Sequence, residues 1–376
     1  MSPIPQIQPP TVSFIVPCYR LAHLLADCIR SILAQSYDDF EVLIMDDCSP
    51  DNTAEIAGSF LDHRVKCIRN EQNLGHLRNY NKGIALSRGK YVWLISADDR
   101  LRRPYVLERY VRLMERHPAV GYVCCPGMGM VGSVETTLVD CGYYGSRDKV
   151  FKGPRFIAAS LRQGYGLLSP SVLVRKDCYD KISSFPLDLP HQADMYLWLI
   201  WALEYDVAYM AEPMVNYRSH ELNMMTSFWR QSPEIIFSDE VNVLWRLKRK
   251  VEEKGLRTLA RKVELSIADK YARAAISGYG EAYSQWRMDI AQCKEALRIN
   301  STSESEYRRL RGTFYYAMAD RYWDRGVFEK ARQSYFIAVR DNWTPPIWIK
   351  LCLSYMGPAG KNMRLRIRHA RCGSLQ

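Results

Sequence analysis

Residues 91–99 read YVWLISADD, a short apolar run that stops at two adjacent aspartates. Its length and its aromatic and β-branched content read as a buried strand rather than a helix. The same form recurs upstream. FEVLIMDD at 40–47 runs apolar into Asp46-Asp47, and VSFIVPCYR at 12–20 runs through Pro17 to Tyr19. Between these stretches, residues 24–33 place apolar side chains at helical spacing, and Asp51-Asn52-Thr53 carries cap chemistry for a second helix. Residues 65–69 form a third apolar run, followed by an Asn/Gly loop; residues 79–87 predict a helix, with Gly89 fitting its end. Strands alternating with helices imply crossover connections, hence an α/β fold with a mainly parallel central sheet flanked by helices. Such sheets bind ligands at the carboxyl ends of their strands. Here those ends carry Tyr19, Asp47 and Asp98-Asp99.

Farther on, the pattern predicts a helix over 104–117, a strand at 122–125, and loop or irregular strand across the glycine-rich 127–145. A strand is expected at 167–174 and an apolar helix at 195–204, whose Trp198 and Trp201 read as core. From about residue 232 the chain turns almost wholly helical. The expected organisation is a disordered, proline-rich lead-in at 1–10 and an α/β domain at 11–228, its halves meeting at 99/100. An all-α region at 229–342 and a basic, aromatic tail at 343–376 complete it.

A chain of 376 residues suggests more than one core. Its eleven cysteines lie mostly singly in apolar segments with no C-x-x-C pair, which argues against both disulfides and zinc. The first residues lack the charged and apolar regions of a signal peptide, and no apolar run is long enough to span a membrane. The expected location is therefore the cytoplasm, with attachment to a membrane only from its surface. From Val241 onward there are 27 Lys and Arg against 13 Asp and Glu, so this part carries +14 of a total of +11 and the first 240 residues carry −3. That asymmetry points to an anionic partner for the C-terminal part. No basic and aromatic stacking motif of a nucleic-acid reader is present, and nucleic acid is set aside.

Two adjacent carboxylates at a strand exit can grip a hard divalent cation together with diphosphate oxygens. Asp98-Asp99 also fits a solvated turn. Asp46-Asp47 raises the same alternatives: a carboxylate there can accept from a base edge, or the segment can serve as a turn in which Ser49 or Asp51 caps the next helix.

The stretches VSFIVPCYR (12–20), SILAQSYDDFEVLIMDDCSPDNT (31–53) and NLGHLRNYNKGIALSRGKYVWLISADD (73–99) resemble, in that order, the nucleotide-binding half of family 2 inverting glycosyltransferases of the GT-A fold. ADMYLWL (193–199) and VNYRSH (215–220) resemble the acceptor-side motifs of the same family, so the likeness covers about residues 12–225. The resemblance implies that Pro17 and Tyr19 lie at the nucleobase, Asp47 reads its edge, Arg78 approaches the diphosphate and Asp98 contacts ribose. It further implies Asp99 and His220 as metal ligands, Arg218 closing over the diphosphate, and Asp194 as the general base. Two positions depart from the family pattern: Ser96 stands where an aspartate usually opens the acidic segment, and Ala193-Asp194 retains one carboxylate of a usual pair.

Residues 315–339 resemble a tetratricopeptide unit, with Ala319, Tyr322, Gly326, Ala331, Tyr335 and Ala338 at matching offsets; a plain helical extension is the alternative. The tail combines Trp343, Ile347, Trp348, Leu351, Leu353 and Tyr355 with Lys361, Arg364, Arg366, Arg368 and Arg371, a composition suited to an anionic membrane surface. The expected activity is Mn- or Mg-dependent inverting transfer from a nucleotide sugar, mildly favouring UDP, to a glycan, lipid-linked or protein acceptor. A catalytically silent scaffold acting through the helical region is the alternative. A nucleotidyltransferase would want a glycine-rich basic loop where Pro17-Cys18-Tyr19-Arg20 stands.

Overall fold

A computed structural model describes residues 8–139, 141–164, 166–221, 223, 233–276, 286–357 and 359–360. Most of the lead-in, most of the expected boundary at 223–232, and all five tail cations from Lys361 to Arg371 lie outside the described residues. The chain divides into two compact units, Met1–Ser227 and Phe228–Gln376.

The first unit opens with β1 (Val12–Cys18), α1 (Ala22–Leu33), β2 (Phe40–Asp46), α2 (Thr53–Gly58), β3 (Val65–Arg69), α3 (His76–Leu86) and β4 (Tyr91–Leu94). Strands β1 and β2 are buried along their whole length, as a sheet covered on both faces requires. They pair in parallel in the order β3-β2-β1-β4, so all four carboxyl ends open on one rim. Trp93 anchors the core, stacked between Phe14 at 5.5 Å and Tyr110 at 4.6 Å, and its Nε1 donates to the Pro170 carbonyl at 2.8 Å. Ser13 and Glu41, polar residues buried in the sheet, satisfy each other: Ser13 Oγ donates to Glu41, which also accepts from Arg88.

The rest of the unit is β5 (Arg100–Leu101), α4 (Val106–Arg116), β6 (Val120–Cys124), β7 (Gly127–Val131), β8 (Val134–Leu138), β9 (Lys149–Phe151), α5 (Gly153–Gln163), β10 (Leu173–Arg175), α6 (Lys176–Lys181), α7 (Ala193–Trp201), β11 (Asp206–Tyr209) and β12 (Val215–Arg218). The eight-stranded sheet continues as β4-β10-β6-β11-β9, with β10 and β9 antiparallel to their neighbours. A second, four-stranded sheet has the order β5-β12-β7-β8.

Several expectations change. The glycine-rich 127–145 contains the β7–β8 hairpin. Of the expected strand 167–174, only its end pairs, because Pro170 sits in a one-turn 3₁₀ helix. Helix α3 begins three residues early, and Gly89 does not end it. Gly89 passes against β1 instead, where an added Cβ would lie 2.5 Å from the Ser13 nitrogen. Trp198 and Trp201 are core, as read. The ten described cysteines are all free.

The second unit is helical in its described residues: α8 (Pro233–Glu253), α9 (Arg257–Ile276), α10 (Ile290–Ile299), α11 (Glu304–Asp324), α12 (Phe328–Asp341) and α13 (Pro345–Ser354). Asp289 starts α10 with a capping box, and Gly326 at φ +78° makes the turn between α11 and α12. Ala319, Ala331 and Ala338 are fully buried with Trp323 and Tyr335, small residues that let helices approach closely.

Inside this unit lies an ion network. Buried Lys248 donates to Glu252 and Glu306, and Glu264 accepts a two-pronged bond from Arg309 and another from Arg261. Glu252, Glu264 and Glu306 approach one another closely, but these cations already neutralise them. Burial alone would raise the carboxyls of Glu264 and Glu306. Bonds from Arg309 and Arg261, and from Lys248 and Thr302, pull them below the ordinary 4.5 instead. A lowered folded-state value gives stability that is present above 4.5 and lost as pH falls through the folded value. Glu306→Gln is therefore expected to destabilise the helical signal by roughly 3–5 kcal/mol in urea at neutral pH. The gap to wild type should narrow in acid below 4.5.

Candidate active site

The rim is built by neighbouring strand exits. Asp47 N donates to the Cys18 carbonyl at 3.0 Å, Asn70 N to the Asp46 carbonyl at 2.8 Å, and Ala97 N to the Pro17 carbonyl at 3.2 Å. Just past two of these exits, Arg20 (φ 60°) and Cys48 (φ 59°) are the non-glycine residues with positive φ among those described. Backbone in that region is held only where the surroundings over-determine it, and it gathers at functional sites.

Of the first aspartate pair, Asp46 is structural: fully buried, it pairs with Arg69 and accepts from Ser49 N. Asp47 ties the Asn/Gly loop to the rim. Its Oδ1 accepts from Asn70 Nδ2 and Leu74 N, both at 2.8 Å, and its Oδ2 accepts from Gly75 N at 3.0 Å. Asn79 extends the network by accepting from Asn70 and donating to the Met45 carbonyl. Tyr19 is 41% exposed beside Arg20, Pro17 is buried in β1, and Arg78 is exposed on α3.

Asp98 and Asp99 are both buried. Asp98 Oδ2 lies 3.0 Å from His220 Nε2, and its Oδ1 is buried with no hydrogen-bond partner. Asp99 Oδ1 accepts from Arg218 N at 3.0 Å. Burial first, then the Asp98 charge, pushes the Asp99 carboxyl well above the ordinary range. The unpaired Asp98 oxygen, a second carboxylate and an imidazole suit a hard divalent cation such as Mg or Mn.

Arg218, expected to close over a diphosphate, is packed against the acidic segment. Its Nε donates to the Asp98 carbonyl at 2.8 Å, its other nitrogens reach the Gly132 carbonyl and Asp27, and it is 5% exposed. Strand β12 hydrogen-bonds to β5, which directly follows Asp99, so Arg218 braces the acidic segment from inside. Its guanidinium is turned inward.

Asp194 stands in the first turn of α7. Burial raises its carboxyl from the ordinary 3.8 to about 6, against the pull of the Met195 amide, which donates to Oδ1 at 2.7 Å. The loop leading to α7 is fastened to α3 in three ways. His76 Nε2 donates to the Pro190 carbonyl at 2.9 Å, Asn81 exchanges two hydrogen bonds with the Phe185 backbone at 2.9 and 3.0 Å, and the Tyr80 ring meets Phe185 edge-on at 5.4 Å.

Tyr80 is the meeting point. Burial raises its phenol, and the charges of Asp98, Asp194 and Asp99 push it further in the same direction. On its other side the ring meets His76, whose imidazole feels Asp47. Asp98, Asp99 and Asp194 thus all lie near enough for their charges to reach Tyr80, and Asp47 acts on His76 one turn earlier on α3.

Tyr80, His76 and Asn81 were not among the expected site residues. His76 and Tyr80 are one helical turn apart, a signal that appears only once the helix starts at residue 76. Asn81→Ala removes both bonds to Phe185 and none of the bonds that Asp47 makes at the strand rim. It is expected to lower kcat about tenfold or more, since small displacements of a reacting group are expensive. The KM for the donor should change little, and steady-state kinetics on both substrates checks the split.

Residues 13–163 match the family model Glycosyl transferase family 2. The chain is 31% identical over 107 residues to the glycosyltransferase GlyG of Streptococcus pneumoniae, covering 28% of this chain and 36% of GlyG, so it spans little more than a third of that relative. It is 25% identical over 234 residues to TuaG of Bacillus subtilis, named as a candidate teichuronic acid biosynthesis glycosyltransferase, covering 61% of this chain and 86% of TuaG. Among solved structures, residues 1–349 of S. aureus TarS, in complex with UDP-GlcNAc, superpose with a TM-score of 0.55 at 17% identity, covering 88% of each chain. The N-terminal unit thus carries a stretch that matches the family 2 glycosyltransferases, on a fold similar to that of TarS.

Proposed function

We propose that this chain is a glycosyltransferase that moves a sugar from a nucleotide-sugar donor to an acceptor hydroxyl with inversion at the anomeric carbon. Asp194 takes the acceptor proton while the acceptor oxygen attacks the anomeric carbon. The anomeric C–O bond breaks with its electrons going to the diphosphate. One displacement from the face opposite the leaving group inverts the centre. The observation that carries the reading is that Asp98, Asp99 and Asp194 all lie near enough for their charges to reach Tyr80, and that burial brings Asp194 to about 6, where a base works near neutral pH.

Asp98, Asp99 and His220 would hold the divalent cation. Such a cation supplies positive charge to a departing diphosphate. Arg218 and Asp27 keep the two aspartates in place, Tyr19 offers its exposed ring to the base, and Arg78 offers its guanidinium to the phosphates. Asp47 already holds three hydrogens and keeps one acceptor direction for the base edge. UDP is the favoured base carrier, supported by Asp47 and by the UDP-GlcNAc complex of the structurally similar TarS. A growing surface polysaccharide or lipid-linked glycan is the favoured acceptor, supported by the name of TuaG.

The test is release of nucleoside diphosphate from UDP-, GDP- and dTDP-sugars by the full chain, with Mn, Mg or chelator. Release that depends on donor, on cation and on Asp194 supports the reading. A chain that releases none, and whose melting point no donor shifts, is a scaffold.

A further inference from the structure

Helix α13 has two contrasting faces. Ile347, Leu351 and Ser354 are buried, and Ile347 and Leu351 belong to the cluster with Tyr335 and Trp323. At 100° per residue, the exposed Trp348, Ile349, Cys352, Tyr355 and Met356 fall together on an arc of about 120° on the opposite side. That arc holds no charged or amide side chain. Trp348, Ile349, Tyr355 and Met356 are 51%, 50%, 68% and 49% exposed, and Trp343, just before the helix, is 63% exposed. Isolated exposed apolar residues are ordinary, but a contiguous stripe of this kind marks a binding surface.

Charge decides what binds there. The Arg332 guanidinium lies over the Tyr355 ring at 5.4 Å, at the border of the arc. Five to fifteen residues beyond Met356 the sequence adds Lys361, Arg364, Arg366, Arg368 and Arg371, with no Asp or Glu from 342 to 376. A second copy of the same surface would bring like charges together. An aromatic and aliphatic face bordered by cations matches the interface of an anionic bilayer, where Trp and Tyr sit at headgroup depth and each cation adds attraction.

We propose that the exposed arc of α13 is a membrane-docking surface, which inserts Trp348, Ile349, Tyr355 and Met356 into the headgroup layer of an anionic membrane while the following cations neutralise its lipids. Among the described residues no helix is long and apolar enough to cross a membrane, so this attachment is to the surface.

Flotation of the full chain tests this, using vesicles of phosphatidylcholine alone or mixed with phosphatidylglycerol, at low and high salt. Wild type is expected to float with the anionic vesicles, to be released by salt, and to stay down with neutral ones. Trp348→Ser with Ile349→Ser removes exposed side chains only, so the circular-dichroism melt should be unchanged while partitioning falls about tenfold or more. A third variant, with Lys361, Arg364 and Arg366 changed to Gln, should lose the preference for anionic lipid. Failure of wild type to float overturns the proposal, as does equal flotation of the Ser variant. A concentration-dependent dimer abolished by the same two substitutions also overturns it, assigning the arc to a second copy. Nucleoside diphosphate release in solution needs no membrane, so the transferase reading stands or falls separately.

Discussion

Replacing Asp99 by asparagine is expected to cut transfer about a thousandfold or more, with the melting temperature unchanged or higher. The two effects separate because Asp99 makes two kinds of contribution. Its Oδ1 accepts from Arg218 N at 3.0 Å, and an asparagine oxygen in the same place can accept that bond. What asparagine cannot supply is negative charge beside Asp98, where a buried oxygen has no protein partner. Burial and the Asp98 charge hold the Asp99 carboxyl well above its ordinary range, so its ionised form is unfavourable in the folded chain. A raised folded-state value means that stability falls as pH rises through the gap between the unfolded and folded values, and asparagine removes that loss. A manganese titration followed by thermal shift gives a readout independent of turnover: wild type should be stabilised by the ion, and Asp99→Asn much less. Near-normal turnover in Asp99→Asn would remove the acidic pair from the chemistry.

The strands β1, β2 and β4 were legible because burial on both faces leaves a local mark, an apolar run ended by polar residues. The rim aspartates were legible for the same reason, since they end those runs. The start of α3 was not. Its N-cap is Gly75 at φ +79°, whose N donates both to Asn73 Oδ1, two residues before it, and to Asp47 Oδ2, 28 residues upstream. A helix start with a glycine N-cap, held in part by a distant carboxylate, leaves little signature in its own sequence. Missing it hid the one-turn spacing of His76 and Tyr80. The inward direction of the Arg218 side chain was hidden for a related reason. VNYRSH marks the segment but not the direction of the guanidinium, which depends on β12 lying between β5 and β7. Short strands β9, β11 and β12, of three or four residues, carry too little periodicity to be seen.

The base assignment leads to the other large effect. Asp194→Asn is expected to lower kcat by about 10² to 10⁴, the range for a positioned general base. In wild type the logarithm of kcat/KM should rise with pH and level off above about 6, because the carboxylate must be ionised to accept a proton and burial has moved its titration there. Below that point the rate should fall about tenfold per pH unit. The residual activity of Asp194→Asn should lack this limb, which a merely structural aspartate would not produce. Stability should move the opposite way. With the folded carboxyl at about 6 and the ordinary value at 3.8, the folded chain holds the extra proton between them, so stability declines as pH rises across that window. Asparagine is neutral throughout and can still accept from the Met195 amide, so its melting temperature should match or exceed wild type at neutral pH. A slower, more stable variant marks a group held ionised for chemistry against the preference of its surroundings. A pH-rate profile with the same acid limb in both proteins would transfer the base role away from Asp194.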